Sequence, residues 1–392
     1  MSDLEIRDVD VHLVENPWKP WAFVEVHTDA GITGIGEATL PRNAFTIAAA
    51  IREEAKYYIG KDPFDTEQLY LRMYRDRGGM MPHMVKMAVI SAMDTACWDI
   101  KAKYFDSPLY ELLGGKVHGD ELPAYANGWY TGTDGDPEAF AEAAERVVAD
   151  GYEALKFDPF GTAWQRMRRP DLDHAMDIVR AVREAVGSDI EIMIEAHYRF
   201  TPGMAIEIAD RLREFDPTWF EQPVPGDNHN ALRKVAEHSR VPIAVDRSPE
   251  RGVNSDLVET GVDIVQPDLI YNGGVTGGKK IAAIAEEEYM SFAPHNANGP
   301  VSTAVCAHVD VSTPNFLIQE VFEDYAHPDW AGRLLEDPLT IENGTVEVPD
   351  GPGLGIELDH DALTAHEYTE GSEDVDIMNL FAEGWENRSF DE

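Results

Sequence analysis

The sequence predicts an α/β chain: a parallel barrel of the (β/α)8 type preceded by a smaller α+β domain. Its 392 residues suffice, at roughly 150 residues per domain, for two or three domains or for one barrel with a satellite. From Leu122 onward, short apolar strands alternate with amphipathic helices, the pattern of parallel strands joined by crossover helices. The strands end near Asn127, Lys156, Glu195, Glu221, Asp246, Asp268, His295 and Glu320, at spacings of 29, 39, 26, 25, 22, 27 and 25 residues. Each spacing is close to one βα unit, and eight such units suggest a closed barrel rather than an open sheet.

Residues 5–9, 22–26 and 31–34 alternate and are separated by turn residues, so a small antiparallel meander is expected first. Apolar residues then recur at helical spacing (Val85, Ala88, Val89, Ala92, Met93, Ala96) and stop at Gly114-Gly115. The first domain is placed at residues 1–122 and the barrel at 123–345. Within the barrel, 137–149 and 172–186 have acidic starts and apolar faces, and a helix over 278–288 is expected after a Gly-Gly turn. Residues 346–392 are expected to pack back and complete the first domain, ending in a frayed, acidic tail.

Charge narrows the partners. Asp and Glu number 73 against 32 basic residues, a net charge of −41, which repels nucleic acid. Only 11 of the basic residues are lysine, and the whole pattern is the one associated with extreme halophiles, whose carboxylate surface is screened by salt. No apolar run approaches the ~20 residues that cross a bilayer. The start, Met1-Ser2-Asp3-Leu4-Glu5, lacks the basic and apolar regions of a secretory leader, so a cytoplasmic location is expected. Two cysteines, Cys97 and Cys306, cannot build a disulfide framework or a thiolate zinc cluster and read as buried thiols.

In such a barrel the chemistry sits at the carboxyl ends of the strands. Glu195, Glu221 and Asp246 close successive strands, and three like charges on one side of the mouth tolerate one another around a cation. Oxygen-only ligation points to Mg2+, with Mn2+ as substitute; the alternative, in so acidic a chain, is three unrelated caps. Asp268 and His295 lie one strand apart, where the carboxylate can orient the imidazole and stabilise its charged form, as a general base requires. His197, two residues after Glu195, shares its face and reads either as an acid near the metal or as a core histidine. Lys156 ends an apolar strand, suited to a substrate carboxylate or a developing oxyanion, or else to a plain salt bridge.

These residues resemble the mandelate racemase branch of the enolase superfamily and, within it, the acid-sugar dehydratases. The resemblance is carried by Gly36-Glu37-Ala38, by Asp94-Thr95-Ala96-Cys97-Trp98-Asp99 with Leu112-Leu113-Gly114-Gly115, by Gln266-Pro267-Asp268 and by Pro352-Gly353-Leu354-Gly355. Similarity to archaeal gluconate dehydratases adds Tyr125-Ala126-Asn127-Gly128-Trp129-Tyr130, the run from Ala154 to Gly161, and Gly273-Gly274-Val275-Thr276. It implies a capping domain over a (β/α)7β barrel, with Mg2+ on Glu195, Glu221 and Asp246. It also implies His295 with Asp268 as the basic dyad, His197 as the acid for hydroxide departure, and Glu320 as an electrophilic acid near the substrate carboxylate. Asn127, Asp158 and Arg247 are expected substrate contacts. Two departures stand out: Val245-Asp246-Arg247 replaces the usual Gly-Glu-Arg, leaving Glu250 as a fallback ligand, and Lys156-Phe157-Asp158 lacks the second lysine of the racemases, which argues against racemisation.

The expected reaction is therefore Mg2+-dependent loss of water from a small sugar acid, D-gluconate foremost, giving a 2-keto-3-deoxy acid. Xylonate, arabinonate or galactonate are the alternative substrates, since residues 18–21 and 77–83 would set substrate length. Epimerisation or racemisation, and a barrel that binds without turnover, are the alternatives in other classes. The family resemblance further implies a homo-oligomer, a dimer or an octamer.

Overall fold

The structure, a computed structural model, describes residues 4–77, 83–226, 228–246, 260–370 and 372. The chain opens with an antiparallel sheet of β1 (Ile6–Val14), β2 (Trp21–Thr28) and β3 (Thr33–Glu37). The third strand begins two residues later than expected, because the turn around Gly31 closes with Thr28 N donating to Ile32 O at 3.0 Å. Helices α1 (Ala44–Glu54), α2 (Thr66–Leu71), α3 (Met84–Tyr104) and α4 (Leu109–Leu112) follow. α3 is buried on nearly every side, as befits a helix with apolar residues all round: it is sandwiched between the sheet and a barrel helix.

The barrel strands are β4 (Glu121–Ala126), β5 (Ala154–Phe157), β6 (Glu191–Glu195), β7 (Trp219–Glu221), β8 (Ile243–Val245), β9 (Ile264–Val265), β10 (Ser291–Phe292) and β11 (Gln319–Val321). They pair in parallel in chain order, and β11 returns to β4. A bridge from Phe292 to Phe316 closes the remaining gap. The crossovers described are α5 (Pro137–Ala149), α6 (Arg169–Val186), α7 (Pro202–Leu212), α8 (His229–His238), α9 (Gly274–Glu287) and α10 (Pro300–Val311). After β11 comes a hairpin of β12 (Ile341–Glu342) and β13 (Thr345–Glu347), which extends the sheet antiparallel to β4. Tyr125, Ala154, Met193, Trp219, Ala244, Ile264, Ala293 and Ile318 form one interior cluster, one residue from each strand or its edge, as barrel layers require.

Two expectations are corrected. β9 and β10 stop at Val265 and Phe292, so Asp268 and His295 stand in the loops beyond them; Pro267 and Pro294 have no N–H to continue the ladder. α9 begins at Gly274 rather than 278. The glycines at 277 and 278 serve close packing in its first turns, not a turn before it: a Cβ on Gly277 would stand 2.0 Å from Asn272 O.

The chain then returns to the first sheet. Leu354 N donates to Asp99 Oδ1 at 2.7 Å, and Ile35 N donates to Asp99 Oδ2 at 2.9 Å. α11 (His360–Ala365) precedes a short pairing with β1, where Glu15 N donates to His366 O and Tyr368 N to Leu13 O, both at 2.9 Å. The expected frayed tail, residues 373–392, lies outside the described residues. Among the described residues no helix is long and apolar enough to cross a membrane, and both cysteines are free and buried.

Candidate active site

Lys156, on β5 and 1% exposed, is the hub of the barrel mouth. Its Nζ lies 2.8 Å from Glu221 Oε1, 2.8 Å from Glu320 Oε1 and 3.8 Å from Glu195 Oε2. Burial alone would discharge the ammonium; Glu221, Glu320, Tyr125 and Glu195 outweigh it and hold Lys156 well above the ordinary lysine value. Glu221 also accepts from Trp219 Nε1 and Gln266 Nε2, each at 2.8 Å. Burial and the neighbouring Glu195 push its carboxyl up to about 8, with Lys156 opposing. Glu320 goes the other way: burial resists its charge, but Lys156, His295 and Asn127 bring it down to about 2. With Asn296 N also donating to Oε2 at 2.8 Å, Glu320 is held ionised and is a poor proton donor.

The expected metal ligands line one wall. Glu195 and Glu221 are register partners on β6 and β7, and Asp246 lies just past the end of β8. The half-buried Tyr198 phenol is pushed up first by burial, then by Asp246, Glu195 and Glu221. Tyr271 donates to Asp246 Oδ2 at 3.1 Å, and His197 N donates to Glu195 Oε1 at 2.5 Å. Their ligating oxygens are not all drawn within 4.8 Å of one another; among the described residues only His12, Glu25 and His360 meet that condition. The donors are carboxylate oxygens, buried, and in excess over Lys156, a set that fits a hard divalent cation. Arg247 and Glu250 lie outside the described residues.

Two Asp–His pairs stand at the mouth, one of them on this wall. His295 Nδ1 is 2.8 Å from Asp268 Oδ2, which also accepts from Asn298 Nδ2 at 2.9 Å. Burial favours the neutral ring, yet Glu320 and Asp268 push His295 up to about 9. Across the barrel, His197 Nδ1 is 2.7 Å from Asp158 Oδ2. Burial lowers His197, with Asp158 opposing and Arg199 and Lys156 assisting. His197 and Tyr198 follow the end of β6 with φ of +46° and +59°, a left-handed pair of the kind that is held under strain at functional sites.

Asp158 and Asn127, expected to contact substrate, spend their hydrogen bonds on protein. Arg199 NH2 reaches both Asp158 oxygens, at 2.5 and 2.6 Å, and Phe160 N donates to Oδ1 at 2.9 Å. Asn127 donates to Glu320 Oε1 at 2.8 Å and accepts from Gly128 N at 2.7 Å. Both brace other site residues. Sequence reasoning missed Arg199, two residues beyond His197, and also Asn298, and it took Lys19 only as part of the stretch 18–21 expected to set substrate length. Lys19 arrives from the first sheet, its Nζ 2.7 Å from Asn298 Oδ1 and 4.4 Å from the Trp18 ring centre. Burial lowers it to about 8 against the pull of Asp268, Glu37 and Glu320. A lysine between two tryptophans, in a chain with so few lysines, was the available signal. Of the other stretch expected to set substrate length, 77–83, residues 78–82 lie outside the described residues.

Comparison with known proteins agrees with this architecture. The family described as "Mandelate racemase / muconate lactonizing enzyme, N-terminal domain" matches residues 10–114, and "Enolase C-terminal domain-like" matches residues 139–362. A D-gluconate dehydratase of Thermoproteus tenax is 39% identical over 88% of this chain and 70% of its own. A D-xylonate dehydratase of Haloferax volcanii is 37% identical over 93% of this chain and 90% of its own. A solved mandelate racemase/muconate lactonizing enzyme structure from Jannaschia sp. CCS1 superposes with a TM-score of 0.86 at 32% identity, covering 95% of this chain and 100% of that one. With its antiparallel cap, its parallel barrel and these relatives, the chain belongs to the mandelate racemase/muconate lactonizing enzyme family of the enolase superfamily.

Proposed function

We propose that the protein is a Mg2+-dependent hydro-lyase that dehydrates an aldonate, D-gluconate foremost, to its 2-keto-3-deoxy acid. The observation that carries this reading is the pair of Asp–His dyads whose histidines stand on the loops after β6 and β10 and whose aspartates follow β5 and β9, four strands apart in an eight-stranded barrel and hence on opposite sides of its mouth. One side can take a proton while the other gives one.

A proton α to a carboxylate is a very weak acid, so its removal needs positive charge beside the carboxylate and a base on one face. Glu195, Glu221 and Asp246 would hold Mg2+, which when bound supplies that charge. Lys156, kept ionised by Glu221 and Glu320, adds a second fixed positive charge. Asp268 holds His295 by Nδ1, leaving Nε2 to take the C2 proton. The electron pair released at C2 expels the C3 hydroxyl, and His197, oriented by Asp158, donates the proton that turns it into water. The enol product then tautomerises to the 2-keto-3-deoxy acid. D-xylonate, one carbon shorter, is the competing substrate, supported by the Haloferax volcanii relative.

A panel of C5 and C6 aldonates, assayed in molar KCl for 2-keto-3-deoxy acid with Mg2+ and with EDTA, tests this. Mg2+-dependent product from D-gluconate is expected. His295→Asn should reduce turnover by about 10²–10⁴-fold while Mg2+ still binds. Product that retains its C3 hydroxyl, or C2 exchange without dehydration, would replace the reading by epimerisation, and silence across the panel would overturn it.

A further inference from the structure

Three groups with ligating atoms meet where α11 docks on the first sheet, apart from the residues gathered at the barrel mouth. The β1–β2 register pairs His12 with Phe23 and Asp10 with Glu25, so His12 and Glu25 are diagonal neighbours on one face. His360 opens α11 over the same face. His12 Nε2 stands 2.7 Å from Glu25 Oε2, and His360 Nε2 stands 3.4 Å from Glu25 Oε1. The two imidazoles meet edge to face, centroids 5.6 Å apart and planes at 74°. All three ligating atoms lie within 4.8 Å of one another, which no other His, Cys, Asp or Glu trio among the described residues achieves.

We propose that His12, Glu25 and His360 form a site for a borderline divalent cation of the Zn2+ type, which ties α11 to the first sheet. Ligands at ~2.0–2.1 Å from a tetrahedral zinc stand roughly 3.3 Å apart, close to the His360–Glu25 separation and reached from the His12–Glu25 contact by a small opening. Imidazole donors favour Zn2+, Ni2+ or Cu2+ over Mg2+, so the site is chemically distinct from the all-carboxylate wall in the barrel. Three protein ligands leave a fourth position for water, and a cavity of about 350 Å3 lined by His12, His360, Leu363 and Tyr368 gives the ion a way in. Burial opposes the charge of Glu25, but the hydrogen bond and charge of His12, joined by His360 and His27, hold its carboxyl below the ordinary value. His27 is excluded as a ligand: its nitrogens are engaged by Thr33 and Asp10 at 2.9 and 3.1 Å. The competing arrangement is a hydrogen-bonded His–Glu–His ladder that needs no cation.

Metal-stripped protein in molar KCl with excess Mg2+, which saturates oxygen-only sites, is titrated with Zn2+ by calorimetry and with Co2+ by visible absorption. One equivalent of Zn2+ is expected, with a rise in melting temperature and the intense d–d absorption of tetrahedral Co2+. His12→Ala and His360→Gln should each weaken Zn2+ binding by more than the roughly 10–100-fold that loss of an outer-shell partner brings, leaving Mg2+-dependent turnover unchanged. His360 is mostly exposed, so His360→Gln keeps the test valid if His12→Ala fails to fold. No Zn2+ uptake by the wild type, or uptake unchanged in His360→Gln, overturns the proposal.

Discussion

Asp158 shows how one carboxylate can serve two neighbours. It accepts His197 Nδ1 on one oxygen and is clasped on both by Arg199. Arg199, His197 and the Phe160 amide outweigh burial and keep it below the ordinary aspartate value. Asp158→Asn removes the charge that orients His197 and leaves a guanidinium buried without its counterion, a loss of about 3–5 kcal/mol for broken buried pairs. Turnover at least about 100-fold lower and a lower melting temperature are expected together; a variant that melts lower yet turns over normally would remove His197 from the chemistry. His295 carries the pH dependence. Its proton is held up to about 9 by Glu320 and Asp268 against burial, and a base must first be neutral. The rate should therefore rise with pH toward that value, and Asp268→Asn, which removes a charge favouring the imidazolium, should move the rising limb to lower pH while lowering its plateau. A pH–rate profile of both proteins checks the sign.

At the scale of elements, the strand ends were legible because each apolar run finishes in a polar residue, and α5 could be placed from its acidic start and apolar face, to which the structure adds the Asp136 side chain accepting from Glu138 N. What periodicity could not show was where the ladder stops: Pro267 and Pro294 end β9 and β10 early and put Asp268 and His295 on loops. The bracing of the site was also hidden, since Arg199 and Lys19 reach it through folded proximity rather than spacing. The Pro352-Gly353-Leu354-Gly355 run reads as a motif, but its reason is visible only in space. Gly353 has φ of +74°, and a Cβ there would stand 2.0 Å from Asp99 Oδ1, the carboxylate that receives Ile35 N and Leu354 N. Gly353→Ala should destabilise the protein by about 2–4 kcal/mol, through the left-handed conformation and the displaced carboxylate together. Chemical denaturation measures it, and a loss under ~0.5 kcal/mol, the range of ordinary surface substitutions, would show that the contact gives way freely.

At the scale of the molecule, cap and barrel are joined by buried polar contacts as well as apolar packing. Glu37, at the end of β3, accepts Gly299 N at 2.8 Å and Ser302 N at 2.9 Å, an anion on the N-terminus of α10. Asp94 on α3 accepts Thr276 N and Oγ1 at 2.9 and 2.7 Å. Burial pushes Asp94 up to about 7, so its proton links this joint to pH near neutrality: ionisation, favoured less in the folded than in the unfolded chain, weakens the joint as pH rises through that value. The net charge of −41 acts over the whole surface, and melting temperature should climb with KCl from millimolar to molar as self-repulsion is screened; a flat response would show that the carboxylates are spaced widely enough to need no screening.

The pairing of residues 366–368 with β1 has a consequence in time. Glu15 and His366 are 351 positions apart, so during synthesis the outer edge of the first sheet at Leu13 and Glu15 waits for its partners while the whole barrel is made. A ribosome adding about 5–20 residues each second leaves that edge open for tens of seconds, exposed to any other strand nearby. Residues 366–368, made after the barrel, end this exposure, and maturation of the cap is therefore completed after the barrel strands are in place.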